Sequence, residues 1–433
     1  MFIYLVFHLV SFVLRPWFLY KFQDESFLRN WVGLWLQPDD HERALWIAGI
    51  GLIMFVLGGL AAERIACGKP EPTRFRSLDR RVILGTGAVF LLIGLVAFAY
   101  YSYNPRDPYE VGQNRFRVVD TSQGYTSVST STSYITSFYN TSTGVFVVWI
   151  AFLGFRRWMI PLVGAFMLAV LYQGYARTRY VTGLFAIIQT VMGRRGRKWP
   201  SWQAGVLLFV AIISFTSGKW WARDLVEQGA EQAFSTAFEA TSANFTGEGA
   251  AFINYDSLAL TTYLVPDYAP HSNFLFYGRL VWGWVPRAIF PEKPIFDFPS
   301  GYLSTHVQDV TVRGLTVTLI GESYMAFGIA SVVLLMTFYG AFFGYAVARS
   351  FAYPAASVER IFGVAMSVCM VQIARDGIQS IVLYMMLYFG PCAVMWAVCI
   401  VLGLPTTVAL AETPTAGEKS GTPARLAAGA AVH

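Results

Sequence analysis

The chain has 433 residues, 55% of them hydrophobic and only 13% charged, at a mean hydropathy of +0.48. A soluble domain carries about 25% charged residues, so the composition excludes an ordinary water-soluble enzyme and predicts an all-α polytopic membrane protein. The formal net charge of +6 does not point to nucleic acid, because most of the excess sits in two short loops.

The chain opens on "MFIYLVFHLVSFVLRPWFLY", which lacks a basic leader and a small-residue cleavage site, and is therefore expected to be a retained helix rather than a signal peptide. A spanning helix needs roughly 20 mostly apolar residues. On that measure the expected spans are about 1–20, 43–62, 82–101, 140–155, 158–175, 180–193, 202–217, 325–348, 358–374 and 377–402, about ten in all. Between them lie a loop at 21–42, a Ser/Thr/Tyr-rich loop at 102–139 expected to be mobile, and a large loop at 218–324. The chain therefore divides into an N-terminal bundle (1–217, about seven helices), the large external loop (218–324), C-terminal helices (325–403, about three) and a Gly/Ala/Thr-rich tail (404–433) expected to be disordered. No internal repeat is evident, which argues against transporters built from inverted repeats.

Lys and Arg in short loops set orientation. Residues 63–81 carry Arg64, Lys69, Arg74, Arg76, Arg80 and Arg81; "RRGRK" (194–198) carries four more cations, and Arg156–Arg157 form a third cluster. Threading ten spans in order puts all three on one side. That side is expected to be cytoplasmic, with both termini, and the loop 218–324 external.

Ionisable residues at or inside a membrane are functional suspects, and the informative ones gather on the expected outer side. Arg15 precedes Pro16 at the end of the first span. Arg177 and Arg179 lie at one tight turn, two residues apart, so on a regular helix they face differently. Arg375 and Asp376 lie at another turn, and Arg287 and Lys293 stand between prolines in "LVWGWVPRAIFPEKPIFDFPSG" (280–301). Prolines 286, 291, 294 and 299 forbid a continuous helix there. Each cation taken alone is equally explained by snorkelling to headgroups. As a set they break the positive-inside rule and want an anionic partner, and arginine's planar fork suits phosphate. The interleaved aromatics suit sugar faces or, equally, an interfacial belt. Among carboxylates, Glu322 in "TLIGESYMAFG" and Asp376 are the candidate bases, with Asp256 in the same loop region and His271 and His306 as further outer-loop groups. Helix-end roles explain Glu322 and Asp376 as readily. Cys67, Cys369, Cys392 and Cys399 have no metal-ligand spacing and are expected to be packing residues. No motif for a metal, a nucleotide or another cofactor is present.

"VPRAIFPEKP", followed some thirty residues later by "TLIGESYMAFG" and a long apolar helix, resembles the Wzy-type O-antigen polymerases, the oligosaccharide repeat-unit polymerases. "FHLVSFVLRP" is similar to that family's first helix, and "QIARDG" to its late arginine turn. The resemblance covers 250–377 and the rest by topology. It implies a multi-pass enzyme of the bacterial cytoplasmic (inner) membrane that joins undecaprenyl-pyrophosphate-linked repeats on the outer face without a cofactor. Its partners would be the lipid-linked glycan, membrane lipid and a chain-length regulator, with no nucleic acid. Arg15, Arg177, Arg179, Arg287, Lys293 and Arg375 would then meet the pyrophosphate, and Glu322, or Asp376, would deprotonate the acceptor hydroxyl. A ligase moving finished glycan to a lipid acceptor would use the same cations. A lipid-linked sugar flippase should instead carry charge along a mid-membrane cavity.

Overall fold

The computed structural model describes residues 8–17, 36–103, 130–172, 177–196, 229–232, 254–278, 317–378 and 380–409, with positions 202, 235, 239, 280, 302 and 303. The chain is mostly helical over these stretches. In order it forms a π-helical turn (Val10–Leu14), α1 (Pro38–Cys67), β1 (Arg74–Arg76), α2 (Arg80–Tyr103), α3 (Thr130–Leu153), α4 (Met159–Tyr172), α5 (Arg177–Arg194) and α6 (Asn254–Leu264). A 3-10 turn (Leu275–Tyr277) follows, then α7 (Leu319–Phe327), α8 (Ile329–Ser350), α9 (Val358–Asp376), α10 (Ser380–Tyr388), α11 (Gly390–Val401) and β2 (Thr407–Ala409). Among the described residues three helices are long and apolar enough to cross a bilayer, 38–67, 80–99 and 329–350; α10 and α11, bent by 56°, make a fourth if they are one span. Their outward faces are apolar: Ile53 and Leu57 on α1, Leu92 and Val96 on α2, and Leu334 and Phe338 on α8 are all exposed. These are the marks of a helical membrane protein.

Local chemistry explains where the helices start. Pro38 opens α1 at a position that needs no N–H donor, the Gln37 N–H donates to Asp40 Oδ2 at 2.9 Å, and Asp39 and Asp40 favour the positive end of the helix. Ser357 Oγ caps α9 by accepting from Arg360 N at 3.1 Å, and Thr318 Oγ1 caps α7 by accepting from Gly321 N at 3.0 Å. The tightest packing is between α1 and α8, which run parallel. Gly58 lies against the backbone of Thr337 and Ala341, Gly340 against Phe55, and Gly344 against Gly59, where an added Cβ would come within 2.7 Å of a carbonyl oxygen. Small residues at this spacing let backbones touch, which drives helix association where the surroundings are already apolar.

The described parts of the three basic clusters, 63–81, 156–157 and 194–196, share one end of the bundle. Arg349 donates to Pro70 O at 2.9 Å, Arg76 pairs with Glu359 at 3.5 Å, and β1 pairs antiparallel with β2 in the register Arg74↔Ala409. Arg194 donates to Ala151 O and lies against Gly154, just before Arg156 and Arg157, while Arg360 lies against Gly193.

Several boundaries differ from the sequence expectation. Helix α3 starts at Thr130, so the last part of the expected loop 102–139 is helical; its Ser/Thr run carries no apolar signal of a span. The expected span 325–348 is two helices, because Gly328 takes φ 71° and ends α7 before α8 begins. The expected span 377–402 is bent between α10 and α11. The start of the supposedly disordered tail is a strand, held by β1. Part of the loop 218–324 is helical, as α6. Cys369, Cys392 and Cys399 are buried packing residues, whereas Cys67 is exposed. The expected span 202–217 lies almost wholly outside the described residues.

Candidate functional site

The end opposite the basic clusters brings together residues that are distant in sequence. Helix α7 folds back against α8 as a hairpin around Gly328. Ser331 Oγ donates to Ser323 O at 2.6 Å and to Gly328 O at 2.8 Å, and it accepts from Phe327 N at 2.9 Å. Ser323 Oγ approaches Met336 Sδ at 3.8 Å, a turn and a half further along α8. The first turn of α7 thus drops inside the bundle, with Ile320 against Gly51 of α1 and Gly321 facing Leu258 of α6.

That first turn carries Glu322, which is 0% exposed. Its Oε2 accepts from the Ile378 N–H at 2.9 Å. Its Oε1 is buried without a hydrogen-bond partner among the described residues. The hydroxyls of Tyr277 and Tyr339 lie within the electrostatic reach of this carboxyl. Glu322 does not open the long apolar helix that follows it: Gly328 separates the two helices and folds the Glu322 turn inward. A buried, half-satisfied carboxyl is costly, which marks this spot as more than packing.

Two residues before Ile378, the last turn of α9 presents Arg375 and Asp376. Arg375 Nε lies 3.5 Å from Asp376 Oδ1, and the two side chains keep 26% and 25% of their surface exposed. Gln372 Nε2 donates to Asp376 Oδ2. The helix stops because Gly377 takes φ 80°, with its N–H on Ile373 O at 2.9 Å. The two carboxylates singled out from sequence, Glu322 and Asp376, therefore flank one turn.

Arg15 is placed differently from expectation. Its Nε donates to Asp256 Oδ2 at 3.1 Å, with both side chains buried, 3% and 1% exposed. Burial raises the Asp256 carboxyl above its ordinary range, and the Arg15 guanidinium opposes that rise. Asn254 donates to Ser11 Oγ at 3.2 Å and His41 Nδ1 meets the Tyr255 hydroxyl at 2.9 Å, so α6 is stitched to the first helix and to α1. Arg15 is thus already paired with protein, although its Nη2 has no hydrogen-bond partner among the described residues.

Arg177 and Arg179 start α5, whose far end reaches Arg360. Because α5 packs antiparallel to α9, with Ser367 Oγ donating to Gln189 Oε1 at 2.6 Å, their backbone lies at the same end as Arg375 and Asp376. Arg287, Lys293 and His306 lie outside the described residues. His271 packs its ring against Tyr324, centroids 6.2 Å apart, and against Gly328. The sequence reading missed Tyr277, Tyr339, Gln372 and the Ile378 N–H. Only Gly377 had a readable signal, as the glycine directly following a basic last turn. No family model, curated protein or solved structure matches this chain.

Proposed function

We propose that this protein polymerises undecaprenyl-pyrophosphate-linked oligosaccharide repeat units into a surface polysaccharide, on the outer face of a bacterial cytoplasmic membrane. About ten spans carry the chain across that membrane in this reading, with both termini and the three basic clusters cytoplasmic and 218–324 periplasmic. The observation that carries the proposal is the meeting of Glu322 with the Arg375–Asp376 turn, at the bundle end opposite those clusters. An arginine beside two carboxylates has the parts that glycosyl transfer from a pyrophosphate requires.

The acceptor hydroxyl oxygen attacks the donor's anomeric carbon. The bond from that carbon to the pyrophosphate oxygen breaks, and its electron pair leaves on undecaprenyl pyrophosphate. Arg375, with Arg287 and Lys293 of the outer loop, faces the charge that grows there. A carboxylate takes the hydroxyl proton.

The test is the glycan size ladder of host cells with and without the gene. Loss of long chains with single repeats retained supports polymerase. Loss of all surface glycan, with lipid-linked polymer accumulating, replaces this reading with a ligase. Repeats trapped on the cytoplasmic face replace it with a flippase.

A further inference from the structure

We infer that the two carboxylates have separate tasks: Glu322 is a positioning residue that clamps the turn Asp376–Gly377–Ile378, and Asp376 is the group that meets the acceptor hydroxyl. The inference rests on the glycosyl-transfer reading above, and it assigns the roles within that site.

The turn has a specific need that Glu322 meets. Helix α9 ends when the Gly377 N–H closes on Ile373 O, and α10 resumes with Ser380 N on Gly377 O and Ile381 N on Ile378 O. The Ile378 N–H falls between the two helices, and Glu322 Oε2 accepts it in a buried setting. A buried backbone donor left unpaired would cost as much as a lost hydrogen bond. Gly377 is required twice over. Its φ of 80° disfavours any side chain, and a Cβ there would overlap Glu322 Oε2, with Val317 O at 3.5 Å behind it. The carboxylate can yield to such a Cβ only by giving up the Ile378 N–H.

Access separates the two acids. A general base must come within about 3 Å of the proton it takes. Glu322 has no exposed surface, and both its oxygens point into protein. Asp376, on the other side of the same turn, has its Oδ1 buried and its Oδ2 accepting from Gln372 Nε2, but its side chain as a whole keeps a quarter of its surface exposed beside Arg375. Clamping the turn from beneath therefore sets the direction in which Asp376 and Arg375 face the substrate.

Substitutions in the full-length protein, expressed in host cells lacking their own copy, separate the roles by the glycan ladder at matched protein level. Glu322→Gln keeps an oxygen for the Ile378 N–H and should lower long-chain polymer by no more than about threefold. Glu322→Ala removes the clamp and should lower it at least about tenfold. Asp376→Asn should lower it about 10²-fold or more, the usual worth of a general base. A Glu322→Gln variant without polymer, beside an Asp376→Asn variant with normal chains, overturns the assignment. A second arm does not use activity. Gly377→Ala should lower the melting midpoint of detergent-purified protein, and lower it less when Glu322→Ala has already removed the oxygen it strikes. Strictly additive shifts in that double-mutant cycle overturn the clamp. If the wild-type gene leaves the ladder unchanged, the polymerase reading fails, and the melting cycle still judges the clamp by itself.

Discussion

Arg15 and Asp256 are separated by 241 positions and meet at 3.1 Å with almost no solvent contact. At that distance, with an effective dielectric near 20, their attraction is about 5 kcal/mol. Desolvating the two ions costs several kcal/mol each, so the intact pair stabilises the fold little. Removing one partner is another matter, because the survivor stays buried and unpaired, at about 3–5 kcal/mol. Arg15→Met and Asp256→Leu should each sharply lower the melting midpoint and the yield of folded protein. The double variant, with two apolar side chains of suitable length, should recover most of the loss. Denaturation of the four proteins in one detergent measures the coupling, expected at about 3 kcal/mol or more. Additive losses would refute the pairing. The recovered double variant also decides what Arg15 does: if it makes full-length glycan, the arginine serves the fold, and if it folds but makes none, the substrate needs that charge.

Gly340→Ala should weaken the α1–α8 contact, because the new methyl overlaps Phe55 O, a backbone atom that cannot rotate away. The expected cost is about 1–3 kcal/mol, and Gly49→Ala on α1, with nothing within 4 Å of its added Cβ, should cost none; equal melting midpoints for the two would contradict the seam. For the proposed orientation, Asp267→Cys at an exposed site should react with a membrane-impermeant thiol reagent in intact cells, while native Cys67 at the basic end should react only after lysis; the reverse pattern would invert the chain.

The helical membrane class was readable because hydropathy acts over long windows, and α1, α2 and α8 fill such windows. The grouping of the basic clusters was readable because Arg and Lys obey a loop-level rule; Arg349 and Arg194 then find carbonyls of neighbouring segments at that end. The inward fold of Glu322 was not readable. A nine-residue helix is shorter than any spanning window, and its apolar residues merge with those of α8 unless Gly328 is taken as a break. The Arg15–Asp256 pair was invisible for another reason. Each residue was noticed, but nothing local in sequence says which opposite charge it will meet across such a separation.

The two-stranded ribbon of β1 and β2 has a consequence for assembly. Arg74–Arg76 are synthesised early, in the turn between the first two long helices, and Thr407–Ala409 only after the last helix has emerged. Until then the early strand has no pairing edge, although Arg76 can already meet Glu359 and the Trp396 ring that it covers at 5.0 Å, both of which are made earlier. Among the described residues the ribbon is therefore closed by the last-made segment, like a buckle closed after the belt is threaded. The strand pairing that joins the two halves of the chain at this end forms only once translation has passed Ala409.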